Sequence, residues 1–596
     1  MTPPDPQPVY FGAGLFGWLH RPADEFSVDV GLVICNPFGF EEVCAHASLR
    51  QLAIAASALG IPTLRFDYAG CGNSAGDEFR ADTLGCWQRS VHEAIEGLKR
   101  ASGVESVCLL GVRLGALVAT LVARQRNDVV GMVAIAPVVS GRAYLREQTV
   151  LAQTGVDRPT DASSGDLLES AGFFMTGETR DALAPIDLTL PDAAPAERVL
   201  IVQRDDLPVA TQWPASLKRL GVDVKEVSWP GYARMMDDPQ RAQVPNAIVA
   251  GVISQLSSWR ASAAPVAVAV ASWGSTSHAV ALDAMAALRE VSETAVSIGT
   301  GESKMFGVLS RPRVQLTAGG PAVLMLNSGS VHAIGPNRLW VRLARRWAVR
   351  GVTVLRIDVS GIGDSPPRPG AEVNVVYSPH TADDIAAALR FLRAQPGVTT
   401  CHLMGLCSGA YHAFKAAVAG QAISSVVMIN PLTFFWRDGD RLSDVKEYEV
   451  IENAAKYRSK LMTDEPWRKL VRGQLDVGLI SKVLMRRSWT LVAPLVFEVA
   501  KLLRLPLRQD LARELETAAG HGIELRFVFA AEAPGCALLR QQGGSTVTRL
   551  QAKHAATLDF VADADHTFTR FEARERLVQV LDRRMCPGHE GGGDAA

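Results

Sequence analysis

No run of about 18 apolar residues, the length a membrane-spanning helix needs, occurs in this 596-residue chain. Charge of one sign is lacking too. With 61 basic and 62 acidic side chains the net charge is -1, which gives no field to hold nucleic acid or an anionic lipid surface. The nine cysteines are odd in number and scattered, so no disulfide framework is expected. No CxxC pair or His/Cys cluster has zinc-ligand spacing, and neither a metal nor an organic cofactor is expected. The opening Met1-Thr2-Pro3-Pro4-Asp5-Pro6 carries neither the charge nor the apolar segment of an export signal, so a cytoplasmic location is the expectation. Composition sets no oligomeric state.

What the chain does have is length, 48% hydrophobic residues, and internal repetition. The length calls for at least two domains. Phe16-Gly17-Trp18-Leu19-His20-Arg21-Pro22 matches Phe306-Gly307-Val308-Leu309-Ser310-Arg311-Pro312. Asp67-Tyr68-Ala69-Gly70-Cys71-Gly72-Asn73-Ser74 matches Asp358-Val359-Ser360-Gly361-Ile362-Gly363-Asp364-Ser365. Gly111-Val112-Arg113-Leu114-Gly115-Ala116 matches Gly405-Leu406-Cys407-Ser408-Gly409-Ala410, and Ile135-Ala136-Pro137 matches Ile429-Asn430-Pro431. The matches are collinear at nearly constant separation, so the chain reads as two copies of one domain.

Each copy alternates apolar, β-rich runs with helical patterns, which predicts mostly parallel sheets with helices on both faces. The runs are 30–35, 63–66, 104–110, 130–135 and 199–202 in the first copy. In the second they are 322–326, 353–357, 400–404, 424–429, 524–529 and 557–561. The expected domains are 1–256 and 292–586, joined by an alanine- and valine-rich segment, 257–291, that reads equally as linker or as an extra strand. Residues 587–596 read as a disordered tail. A helical insert at 432–519, with Phe434, Phe435, Trp436, Trp467 and Trp489, occupies the position of a cap, and 140–191 is its shorter counterpart.

The stretch from Gly405 to Ala410 lies between an apolar strand and a helical pattern. Strand, glycine turn and helix in that order form the setting of a nucleophile elbow, with Cys407 at the reactive position. The helix N-terminus favours negative charge and so the thiolate. In the first copy the same position holds Arg113, whose guanidinium stays protonated and cannot attack a carbonyl. No histidine occurs between His92 and His278, so that copy has no base in its late loop. An ion pair of Arg113 with Asp205 or Asp206 is expected there. The copy is then a scaffold, or Arg113 binds a carboxylate or phosphate.

Together these motifs, with the late Asp565-His566-Thr567-Phe568, resemble the α/β-hydrolase superfamily over nearly the whole chain. More narrowly, the Cys407 elbow, the Arg113 turn and Asn36-Pro37-Phe38-Gly39-Phe40-Glu41 resemble the paired hydrolase-like proteins encoded with bacterial exopolysaccharide and exosortase systems. The resemblance implies two α/β-hydrolase-like domains and a chain order of nucleophile, acid, histidine. Cys407 fills the first place and His566 the last, since His554 precedes the final strand. Glu532 is the carboxylate in the usual acid loop, and Asp563 is the alternative. The oxyanion donors are expected at Ser408 and near Ser328 and Gly329, while Asn337 and Arg338 either hold that loop or bind a polar substrate group. A cysteine nucleophile makes a thioester, so both acyl hydrolysis and transfer to an acceptor are open, on a small-molecule acyl substrate. The rival is a non-catalytic binding or assembly protein built on two hydrolase-like folds.

Overall fold

The computed structural model describes residues 4–23, 30–79, 82–154, 167–207, 211–260, 274–280, 291–299, 304–313, 319–437, 440, 509–531 and 533–586. The expected tail, most of the cap insert with Trp467 and Trp489, and much of the joining segment lie outside them. The chain divides into two compact units, one of Met1–Thr399 with Phe568–Ala596 and one of Thr400–Thr567.

The first unit holds a complete eight-stranded sheet. Its strands are β1 (Gln7–Phe11), β2 (Leu15–His20), β3 (Val30–Cys35), β4 (Thr63–Phe66), β5 (Ser106–Val112) and β6 (Val129–Ile135). A small hairpin, β7 (Leu168–Ser170) and β8 (Phe173–Met175), lies in the shorter insert, before β9 (Arg198–Val202) and β10 (Asp223–Val227). The order is β1-β2-β4-β3-β5-β6-β9-β10. Among the described residues of this sheet, only β1–β2 and β2–β4 pair antiparallel. The central strands are buried on both faces because side chains alternate. Val33 and Cys35 pack with Trp87, Val91 and Leu117 on one side, while Leu32 and Ile34 pack with Leu49, Leu52 and Val252 on the other.

The same unit holds β11 (Ser277–Val280), β12 (Val291–Ile298), β13 (Met305–Pro312), β14 (Gly320–Met325) and β15 (Thr353–Ile357), ordered β11-β12-β13-β15-β14. The exchange of β14 and β15 repeats that of β3 and β4. In the joining segment Ser277–Val280 forms a strand that pairs with β12, while the alanine- and valine-rich stretch 261–270 lies outside the described residues. The second unit carries the end of β16 (Val398–Leu406), then β17 (Ser425–Ile429), β18 (Glu524–Ala530) and β19 (Ala556–Val561), parallel and in sequence order. These mostly parallel sheets, with helices around them, are consistent with two α/β-hydrolase-like domains.

The two repeated glycine turns fold alike. In one, Asp67 accepts from the Asn73 N–H at 2.8 Å, and Ser74 donates to the Asp67 carbonyl at 2.6 Å and accepts from Phe16 N–H at 2.8 Å. In the other, Asp358, Asp364, Ser365 and Phe306 make the same three bonds at 2.9, 2.6 and 2.8 Å. Within the first unit these turns face one another's arginines. Arg356 donates to Asn73 Oδ1 at 2.8 Å, and Arg65 reciprocates on Asp364. Arg345 reaches the carbonyls of Asn73 and Ser74 at 2.9 and 3.2 Å. Phe16, Trp18 and Phe306 close the apolar side, with Trp18 and Phe306 ring centres 4.8 Å apart.

Glu293 is the counter-ion of this cluster. Its side chain is fully buried and pairs with Arg345 at 2.7 Å and Arg356 at 3.3 Å. Burial would raise its pKa, but the two guanidinium groups outweigh it and hold the carboxyl down to about 2. The folded pKa lies below the unfolded one. The stabilisation is therefore present above pH 4.5 and lost as pH falls toward 2. Glu293→Gln should remove about 3–5 kcal/mol of stability at pH 7, because it leaves two buried cations without a charge partner. Denaturant melts from pH 7 to pH 3 should show a smaller acid dependence in the variant than in the wild type.

Candidate functional site

The elbow forms where the sequence places it. Cys407 lies between β16 and the helix Ser408–Val418, with φ 59° and ψ -116°. A non-glycine residue held there is strained, at a cost of about 1–3 kcal/mol. Its N–H donates to the Ile429 carbonyl at 2.9 Å, and its carbonyl accepts from Ala410 N–H at 3.1 Å. Arg113 has the same geometry, φ 52° and ψ -120°, with matching bonds to Ile135 and from Ala116, both at 3.0 Å. The glycines are required by close approach. A Cβ on Gly405 would lie 2.1 Å from the Gly409 carbonyl carbon, and one on Gly111 would lie 2.4 Å from the Ala116 Cα.

Because β16 to β19 run parallel, the residues that follow them share one sheet edge. That edge carries Cys407 after β16, Asn430 after β17, the acid loop after β18 and His566 after β19. His554 precedes β19, is exposed, and so belongs to the opposite edge. Both ring nitrogens of His566 are sealed from solvent without a hydrogen-bond partner among the described residues. Burial pushes its pKa down to about 4, with Asp565 opposing the shift. The imidazole is therefore neutral at pH 7, the form that can accept a proton. Asp563 is exposed at φ 48°, whereas Asp565 is half-buried and accepts from Thr567 Oγ1 at 3.3 Å. Glu532 lies outside the described residues. Phe434, expected in the cap, is instead a core residue, fully buried between Phe414 and Phe527 with ring centres at 5.4 and 6.3 Å.

Ser408 opens the elbow helix, whose first turn directs backbone N–H groups outward. Ser328 and Gly329 belong to the first unit, where the Ser328 carbonyl accepts from Val331 N–H at 3.1 Å and Gly329 has φ 56°. Arg338 is buried and engages a different turn of the first unit. Its guanidinium donates to the carbonyls of Ser74, Gly72 and Gly76 at 2.6, 2.8 and 3.1 Å. Asn337 is buried with its carboxamide against Gly172.

The expected partner of Arg113 needs correcting. Arg113 pairs with Glu41 at 2.7 Å and Glu147 at 2.6 Å, not with Asp205 or Asp206. Asp206 is taken by Arg204 at 2.7 Å, and Asp205 accepts from Gly231 N–H at 2.9 Å. Glu41 lies in the first turn of the helix Phe40–Ala58 and Glu147 in the insert helix Gly141–Thr154, so neither partner could be read from the acid-loop position.

Two other features of the first unit bear on ligands. A cavity of about 40 Å³ lined by Phe38, Tyr68, Trp87, Phe173 and Arg338 has room for a few waters, not for an acyl chain. Glu42, His46 and His332 bring ligand-type atoms within 4.8 Å of one another. The imidazoles, however, stack 4.1 Å apart with planes 12° from parallel, so both cannot aim an in-plane lone pair at one ion. His46 faces Asp364 at 3.4 Å and Glu42 at 3.7 Å. Burial lowers its pKa, but the two carboxylates outweigh that and push it up to about 9. The group is an ion-pair network.

Residues 39–160 match the family model described as serine aminopeptidase, S33. The match covers about a fifth of the chain, includes Arg113 and stops short of Cys407. Together with the strand order, it identifies a hydrolase-like fold. No curated protein matches the chain. Among solved structures, the chain is similar to a lidless α/β serine hydrolase from Xanthomonas campestris, at 17% identity over 38% of this chain and 84% of that one, TM-score 0.25. It is similar to Est1E with bound ferulic acid from Butyrivibrio proteoclasticus, at 17% identity over 42% and 98%, TM-score 0.32. It is also similar to an α/β serine hydrolase homologue from Coxiella burnetii, at 18% identity over 43% and 98%, TM-score 0.27. Likeness at this level says nothing about substrate. Among the described residues no helix is long and apolar enough to cross a membrane.

Gly405→Ala should cost about 3 kcal/mol, since the clash is with backbone that cannot step aside. Gly520→Ala is the control in the same unit, because a Cβ there meets nothing within 4 Å. Thermal melts should separate the two by several degrees.

Proposed function

We propose that this protein is an acyl hydrolase or acyltransferase that works through Cys407, with His566 as base and a carboxylate of the β18 loop, Glu532, or else Asp563, as the acid. The observation that carries this reading is the strained backbone at Cys407, which sets a buried thiol at a helix start on the sheet edge that His566 shares. The Cys407 thiol gives its proton to the neutral His566 imidazole as its sulfur attacks the acyl carbonyl, and the tetrahedral adduct collapses to a thioester as the bond to the leaving group breaks. The leaving alkoxide or thiolate takes a proton from the imidazolium. An acceptor O–H, N–H or S–H, water included, then attacks the thioester, gives its proton to His566, and restores the thiol. Ser408 N–H is the proposed oxyanion donor, a contribution of about 3 kcal/mol to the barrier. A half-domain that keeps the elbow but holds Arg113 between two glutamates is proposed as non-catalytic.

Tandem duplication is part of the same reading, supported by the paired turn bonds and the paired elbow angles. A cytoplasmic site of action is supported by nine cysteines, all free. The setting in exopolysaccharide biosynthesis rests on motif resemblance alone. The alternative, a non-catalytic binding or assembly protein, is favoured by the occupied Arg113 position and by the absence, among the described residues, of a hydrogen bond to the His566 ring.

Incubation with an acyl thioester or a nitrophenyl ester, followed by intact-mass measurement, should show one acyl adduct. Cys407→Ala should abolish it, and His566→Ala should slow its formation by about a hundredfold. A folded protein that takes no acyl group from either donor would favour the binding reading. Added amines and alcohols then divide transfer from hydrolysis, by whether they capture the acyl group faster than water does.

A further inference from the structure

Asn430 stands at the end of β17, buried and at φ 44°. Its carboxamide is used in both senses. Nδ2 donates to the His566 carbonyl at 2.8 Å, and Oδ1 accepts from the Ala530 N–H at 2.8 Å. Ala530 closes β18 and leads into the loop where the acid is expected. One side chain therefore ties the base loop to the acid loop, on the edge that also carries Cys407.

The N-terminal half supplies an internal control. There Ala136 holds the matching place at φ 46°, and its N–H donates to Val202 O at 2.8 Å, as Asn430 N–H does to Val528 O at 2.9 Å. The backbone is the same, but alanine has no side chain to bridge, and no histidine follows in that half. A need of the fold itself would apply in both places. The carboxamide occurs only where there is an imidazole to hold.

We propose that Asn430 is a positioning residue of the Cys407–His566 site, which fixes the His566 loop against the β18 loop through its two amide bonds. The inference rests on the functional reading above and adds what holds the imidazole in place. Nδ2 meets only an acceptor and Oδ1 only a donor, so the two ends of the amide are not interchangeable.

Two variants test it. Asn430→Asp keeps an acceptor for Ala530 but sets a carboxylate against the His566 carbonyl. Asn430→Gly tolerates the positive φ and removes both bonds. Both should slow acylation of Cys407 roughly tenfold or more and displace the midpoint of its pH profile, because small misplacements of a reacting group are costly. In a His566→Ala background the same substitutions should change nothing further, as no imidazole remains to be placed. Wild-type rates and profile in the variants, or an equal further loss in that background, would overturn the proposal. Should the wild type accept no acyl group, the functional reading fails by itself. Mass-detected hydrogen exchange at the His566 ring carbon then decides the positioning separately. Its midpoint should lie near about 4 in the wild type and move up toward the ordinary imidazole range in both variants. An unmoved midpoint would overturn the positioning whatever the activity.

Discussion

Arginines reach across the centre of the first unit into turns that are not their own. Arg65 serves the turn at Asp364, Arg356 serves the turn at Asn73, and Arg345 and Arg338 take up backbone carbonyls between Gly72 and Gly76. A buried guanidinium is stable only when its charge and its donors are met. Here Glu293 and Asp364 meet the charge, and the exposed carbonyls of a rigid turn meet the donors. The turn is rigid because Asp67 and Ser74, or Asp358 and Ser365, close it upon itself. The two repeated segments are thus committed to each other through charge as well as through Phe16, Trp18 and Phe306.

The half that carries Arg113 takes part in these contacts through Arg65, Asn73 and Ser74. Its elbow retains the strained backbone, yet the side chain at the tip is held between Glu41 and Glu147. Backbone geometry and reactivity are separable: strand and helix packing enforce the bend, while the residue at its tip and the loops along the edge decide what the bend can do. In the second unit the tip is a thiol, the edge carries a histidine, and Asn430 joins two loops that in the other half lie beside Ala136.

The central strands were legible because they are short apolar runs buried on both faces. The runs 30–35, 63–66 and 353–357 match β3, β4 and β15 at both ends, and every other run differs from its strand by two residues or fewer at either end. The antiparallel strands β1, β2, β12 and β13 were not read as strands. Leu15–His20 and Met305–Pro312 showed themselves only as repeated motifs, and Val291–Ile298 alternates buried with half-exposed residues at the expected start of a domain. Phe434 read as part of a cap insert and became core, since hydrophobicity alone does not say which surface a ring will cover. Asn430 was visible as the one mismatch in a repeated tripeptide, but a donor–acceptor bridge to residues a hundred positions away has no local signature.

The sequence by itself determined the repeated motifs, the alternating architecture, the two elbows and the identity of the group at each tip, because strand patterning and glycine turns are local in their physics. Only the tertiary structure decided which carboxylates meet Arg113, that Arg338 anchors a turn, and which edge His566 occupies. Ion pairs and buried amides depend on the direction and distance of side chains brought together from far apart in the chain. Those are set by packing, not by position in the sequence.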